Sequence, residues 1–185
     1  MPAERIGRLS EMPERLLFGR ECLIVLMRTL AAPAPEEGCA LLLGLPVSGG
    51  ASRRSAWWVQ RVWPCCNVWS PGLTALPEPP DASLTRRHRF ALDPREQLHA
   101  QRWARARGLQ VLGTAHSHPE GEPEPSRLDL AWATTPSLML ILGGSGALGA
   151  WWIEAGAASP LLLQYSEELL QHSEELLQHT EGEAS

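Results

Sequence analysis

Val111-Leu112-Gly113-Thr114-Ala115-His116-Ser117-His118, closed by Pro119 and followed by Ser126 and Asp129, is the stretch on which the reading of this chain turns. The run up to Ala115 has the apolar composition of a buried strand, and Pro119, which cannot donate to a ladder, marks its end. Side chains two apart on a strand share a face, so His116 and His118 project to the same side. Two imidazoles at that spacing can grip a single zinc ion. The Pro-rich turn from Glu120 to Pro125 reverses the chain, which sets Ser126 as a helix N-cap with Asp129 at the third helical position. Two nitrogens and one carboxylate oxygen leave the fourth tetrahedral position to water. Three protein ligands plus water is the pattern of a catalytic zinc; structural sites are closed by four.

Each part has a plainer reading. A His-x-His pair alone is more often packing than ligation, and Ser126 with Asp129 alone could be an ordinary helix start. The combination carries more. Five fixed identities (His, His, Pro, Ser, Asp) at fixed spacing arise by chance on the order of once in 10,000 sequences of this length.

His116-Ser117-His118-Pro119, a six-residue gap, then Ser126-Arg127-Leu128-Asp129 resembles the signature of the JAMM (MPN+) zinc metalloproteases. Glu37-Gly38-Cys39-Ala40-Leu41-Leu42-Leu43-Gly44 is similar to that family's upstream segment, where a glutamate precedes a small-and-leucine strand. Pro64-Cys65-Cys66-Asn67 and the run Phe90 to Leu98 are similar to stretches of the compact bacterial members. The resemblance spans about Leu17 to Ile153. It implies an α/β (α+β) fold: a single MPN-like domain, a mixed and mostly antiparallel sheet flanked by helices, layered as in cytidine deaminases. It also implies Glu37 rather than Glu36 as general base, by its offset from Leu41 and Gly44. Asn67, at a position where the family keeps asparagine, is the candidate substrate-binding residue; otherwise it is a turn residue.

Composition sets outer bounds. The 185 residues are enough for one domain with its own core. Hydrophobic residues at 44% and charged residues at 20% are ordinary for a globular chain. A net charge of −5 argues against a nucleic-acid binder, which would normally show a basic face. Cys22, Cys39, Cys65 and Cys66 make no disulfide framework, which suits a reducing cytoplasm. Glu21 and Arg28 bracket an apolar run too short for export, and no stretch has the apolar length of a membrane span.

In order, residues 1–16 read as a loose polar arm and 17–160 as the domain. Within it we expect a helix over Leu17–Leu30 stopped by Pro33 and Pro35, with Leu23, Val25, Leu26 and Leu30 on its buried side. A strand Ala40–Leu43 ended by Gly44 follows, then a Gly/Ser/Arg turn and a Trp-rich strand Ala56–Trp63. Residues 70–89, rich in proline and arginine, read as a mobile loop, with substrate binding as the lesser alternative. Next come a short strand Phe90–Leu92 and a helix from Pro94, capped by Asp93, with Leu98, Trp103 and Ala106 inside and Gly108 at its end. Strands Ser137–Leu142 and Ala150–Glu154 complete the sheet. Residues 161–185 carry three copies of a seven-residue unit with paired leucines. That repeat is either a helix suited to self-association or a frayed duplication, and its first unit could instead be a last strand.

Together these residues fill each role of a hydrolase once. Zinc on His116, His118 and Asp129 would acidify a water and polarise a carbonyl. Glu37 would move the proton and Ser126 would donate to the oxyanion. The resemblance implies a peptidase cutting after the C-terminal Gly-Gly of a ubiquitin-like or sulfur-carrier protein. Two alternatives stay open at this point: a non-catalytic MPN-type interaction module, and a small-molecule zinc hydrolase, although a deaminase would need a Cys-x-x-Cys pair that is absent here.

Overall fold

The computed structural model of the protein describes residues 11–48, 55–71 and 85–165. Its chain order is β1 (Arg15–Phe18), α1 (Arg20–Ala31), β2 (Cys39–Ser48), β3 (Ser55–Cys65), α2 (Pro94–Arg105), β4 (Gln110–His118), α3 (Arg127–Trp132), β5 (Ser137–Gly143), β6 (Leu148–Glu154), β7 (Ala157–Pro160) and β8 (Leu162–Tyr165). The strands form one mixed sheet in the order β7-β6-β5-β4-β2-β3-β1-β8. The pairs β2–β3, β2–β4, β5–β6 and β6–β7 are antiparallel. The pairs β1–β3, β1–β8 and β4–β5 are parallel.

β7 and β8 stand at opposite ends of this order although only Leu161 separates them in sequence. The sheet must therefore curl until its two edges approach. The Leu161 amide donates to the Ala150 carbonyl at 2.8 Å, and Trp57 of β3 meets Trp152 of β6 edge-on at 5.6 Å. Inside the curl lies the main core: Leu16, Phe18, Leu26, Leu30, Leu42, Leu138, Leu140 and their neighbours. Burying Leu26 and Leu30 on α1 contributes about 1.5–3 kcal/mol each, far more than the helix propensity of so short a segment.

Several sequence expectations are corrected. Arg15–Phe18 is a strand, not arm or helix, because alternation puts Leu16 and Phe18 inside before Gly19 opens the helix. Val25 faces solvent on α1; Leu26 and Leu30, one turn apart, take the inner face. Gly44 does not end β2. It lies beside a register shift, where a Cβ would sit 1.9 Å from the Trp58 carbonyl oxygen, and the strand runs on to Ser48. Phe90–Leu92 forms only a bridge, between Leu92 and Asn67.

The inner face of α2 is Ala100 and Ala104, packed on Leu41, Leu43 and Leu109, while Leu98 and Ala106 are exposed. Asp93 caps that helix as expected, accepting from the Arg95 amide, and Gly108 follows it at φ +66. The sheet also takes in Leu162–Tyr165, the start of the stretch expected to be a separate tail. The heptads beyond Tyr165 and the middle of the 70–89 loop lie outside the described residues.

Candidate metal centre and active site

β4 is an interior strand, flanked by β2 and β5, and its C-terminal end carries His116 and His118. The alternation places both imidazoles on one side, and their Nε2 atoms stand 3.0 Å apart. After the turn, Ser126 caps α3 in a full capping box. The Asp129 amide donates to Ser126 Oγ (3.2 Å), and the Ser126 amide donates to Asp129 Oδ2 (2.7 Å). That box aims the carboxylate inward: Oδ1 lies 3.4 Å from His116 Nε2 and Oδ2 lies 3.6 Å from His118 Nε2. The expected helix start and the expected ligand are one device. The cap that begins the helix also fixes the carboxylate.

The donor set fits a divalent cation. A carbonyl can only accept, so the 3.0 Å contact from His118 Nδ1 to the Glu122 carbonyl puts the proton on Nδ1 and leaves the Nε2 lone pair facing His116 and Asp129. One ligand atom from each of His116, His118 and Asp129 lies within 4.8 Å of the others. A cation among them would satisfy two converging nitrogen lone pairs and one carboxylate. Burial lowers the pKa of His116, against the pull of the Asp129 hydrogen bond. For His118 burial acts downward too, but the bonds to Asp129 and Glu122 outweigh it and the net direction is up. Asp129 is held far below the usual carboxylate range: burial opposes this, and the two imidazoles beside it, with the Ser126 amide, overcome it.

Glu37 is set across from this cluster by the register of β2 on β4. Cys39 pairs with His116, and two further bonds extend the ladder by one residue. The Gly38 amide donates to Ser117 Oγ (2.8 Å), and the Ser117 amide donates to the Gly38 carbonyl (3.0 Å). Gly38 is required here, because a Cβ would lie 2.4 Å from the Leu30 carbonyl oxygen. The Glu37 amide in turn donates to the Arg86 carbonyl at 2.8 Å. Glu37 is 5% exposed. Burial, the largest influence, pushes its carboxyl up to about 8; His118 and Arg89 act downward and Asp129 upward.

Asn67, the candidate substrate-binding residue, turns its side-chain amide to main chain. Its Nδ2 donates to the Glu37 carbonyl (3.1 Å) and the Arg89 carbonyl (2.8 Å), and its Oδ1 accepts from the Trp69 and Ala91 amides. The amide's hydrogen-bonding capacity is thus taken up by main chain, and it ties the Glu37 segment to residues 85–91. The sequence reading favoured a solvated loop for the first five of those residues and named neither Arg89 nor Phe90 as a site residue. Phe90 stacks on His116 with ring centroids 4.4 Å apart and 19° between planes, and Arg89 is buried at the cleft. The Arg-rich composition signalled solvent, whereas Asn67 and the Glu37 amide draw the end of that loop inward. An open cleft of about 570 Å³ joins Glu37, Arg89, Phe90, His118, Ser126 and Asp129, with Trp132 and Pro119 in its wall.

Two histidines and an aspartate at the end of an interior strand, faced by a buried glutamate in a mixed α+β sheet, define a JAB/MPN-type domain with a candidate metal centre. The family described as prokaryotic homologs of the JAB domain matches residues 20–154, and the chain belongs to it. It is similar to a protein of Desulfitobacterium hafniense known from a solution structure, at 26% identity over 82% of this chain and 93% of that one, with a TM-score of 0.62. A JAB1/MPN domain protein from Archaeoglobus fulgidus, known from a crystal structure, also matches at 18% identity over 81% and 98% of the two chains, with a TM-score of 0.45. No curated protein matches the chain.

Proposed function

We propose that the protein is a zinc-dependent metallopeptidase that hydrolyses the peptide or isopeptide bond after the C-terminal Gly-Gly of a ubiquitin-like or sulfur-carrier protein. The observation that carries the reading is the convergence of His116, His118 and Asp129 beside a buried Glu37 in one open cleft. The substrate class rests on membership in the JAB family. The free thiols of Cys22, Cys39, Cys65 and Cys66 support a cytoplasmic setting.

His116, His118 and Asp129 would hold the zinc, which supplies an acidified water and polarisation of the scissile carbonyl. Glu37 accepts a proton from the attacking water and delivers it to the leaving amine. Ser126 Oγ accepts from the Asp129 amide, which leaves its own hydroxyl hydrogen free to donate to the developing oxyanion. Glu122 and Phe90 hold the two imidazoles in orientation. The test is metal content together with turnover: wild type should bind close to one zinc per chain and cleave a Gly-Gly-extended carrier. Glu37→Gln should keep the zinc and lose activity by roughly 10²-fold or more. A fully active variant would remove Glu37 from the mechanism.

A further inference from the structure

The sheet face opposite the main core is covered in two places. Ala100 and Ala104 of α2 pack on Leu41 and Leu43, and Leu130 of α3 packs on Met139, Ile141 and Ile153. A third apolar region lies on β8, β1 and the adjoining ends of β3 and β2. The registers set it out in two rows: Leu45, Trp58, Leu17 and Gln164, then Val47, Ala56, Arg15 and Leu162. Leu16, Phe18, Trp57, Val59 and Leu163 belong to the main core, so strand alternation turns both rows to the other side. Leu45 borders the α2 cluster, whereas Leu17, Trp58, Val47 and Leu162 belong to none of the buried clusters. Val47 and Leu162 are 36% and 64% exposed, and Leu17 and Trp58 are only partly buried. An apolar sheet face of this kind is ordinarily covered by another element.

Its charge describes the occupant. β1, β2, β3 and β8 contain two arginines, Arg15 and Arg61, and no acidic residue. Arg15 Nε is buried without a hydrogen-bond partner, and the exposed Arg61 donates through Nη1 only to the carbonyl of its neighbour Gln60. Guanidinium groups at an apolar surface are matched by carboxylates. Residues 166–185 have the complementary composition: six glutamates, no arginine, and the pairs Leu169-Leu170 and Leu176-Leu177 seven apart. They are also tethered in the right place, since they follow Tyr165 at the end of β8, the edge strand of this face. From Tyr165 to Leu169 the chain reaches about 13 Å, and the far row, at Leu162, is about 10 Å back along β8. Leucine pairs one heptad apart stand about 10 Å apart along a helix, and four strands span about 14 Å, so both pairs fit on the face together. We propose that residues 166–181 fold back as an amphipathic helix onto the Leu45, Val47, Leu17, Trp58 and Leu162 face of their own chain, with glutamates toward Arg15 and Arg61. A tether this short favours the contact within one chain over pairing between copies. The inference is independent of the metal centre and of the peptidase reading.

Amide hydrogen exchange on the full-length protein, with light scattering on the same samples, tests this. In wild type the amides of residues 169–177 should exchange at least about tenfold more slowly than in an unstructured chain, at the mass of one chain. Val47→Glu with Leu162→Glu replaces two exposed side chains of the face by carboxylates that repel the segment. It should return those amides to the unstructured rate and leave β4 protected. Leu176→Ser with Leu177→Ser leaves the face itself intact; it should release the same amides and speed exchange in β8. Unprotected amides in wild type overturn the inference, as does protection that survives Val47→Glu with Leu162→Glu. Protection that grows with protein concentration, together with the mass of two chains, makes a second copy the occupant and overturns it too. If the face variant also loosens β4, the leucine variant decides, and unchanged exchange of residues 169–177 and β8 refutes the docking.

Discussion

The buried carboxyl of Glu37 should make the metal-free protein less stable as pH rises, and Glu37→Gln should remove that loss. In the folded chain the group titrates near 8 against an ordinary value of 4.5. Between those values the unfolded chain has given up the proton and the folded chain keeps it, so folding weakens with increasing pH. Each pH unit in that window is worth about 1.4 kcal/mol for one fully coupled group. The group is 5% exposed, so little of this is screened by solvent. From pH 4.5 to 8 the accumulated loss is on the order of 3–5 kcal/mol. The amide carries no charge and has no such term. Urea midpoints of chelator-treated protein at several pH values would show it. The variant should match wild type within about 1 kcal/mol at pH 4.5 and exceed it by roughly 3 kcal/mol at pH 8. His118 and Asp129 titrate in both proteins, and their coupling to the Glu37 carboxyl, already contained in its raised value, is what the variant loses. A difference independent of pH, or one that favours wild type at pH 8, would refute the reasoning.

His118→Ala should abolish zinc-dependent thermal stabilisation, which in wild type should reach about 2.7 kcal/mol at a hundredfold excess over Kd; calorimetry reads both. Because the His118 pKa is raised and the His116 pKa lowered, protons compete with zinc first at His118 and only in more acid solution at His116. Chelator competition should therefore show zinc binding that weakens as pH falls, and more steeply in more acid solution. Gly38→Ala drives a Cβ against main-chain atoms of Leu30. It should cost about 1–3 kcal/mol in denaturant melts and lower turnover at least tenfold by displacing Glu37. Asn67→Ala strands two carbonyls and two amides. It should cost about 2–4 kcal/mol and loosen residues 85–91 in hydrogen exchange.

What could be read from the residues was what depends on local spacing. Strand alternation put His116 and His118 together, and helix-capping chemistry put Asp129 one turn into α3. The position of Glu37 was not local. It depends on the β2–β4 register, which the sequence shows only through likeness to known proteases. The curl of the sheet, which turns Leu162–Tyr165 into a strand beside β1, depends on contacts between the first and last parts of the chain. No short window contains them. Arg89 was misplaced for a related reason: charge and proline argued for a solvated loop, and one asparagine across the fold overrides that tendency; Phe90, read as the start of a short strand, gave no sign of its stacking on His116.

The central claim is tested most directly by intact-mass analysis of a sulfur-carrier protein that bears one residue beyond its Gly-Gly, incubated with the zinc-loaded protein. The account predicts a single product that ends at Gly-Gly, formed by wild type and neither by Glu37→Gln nor after chelation. A carrier of unchanged mass, or the same cleavage by the chelated protein, would contradict it.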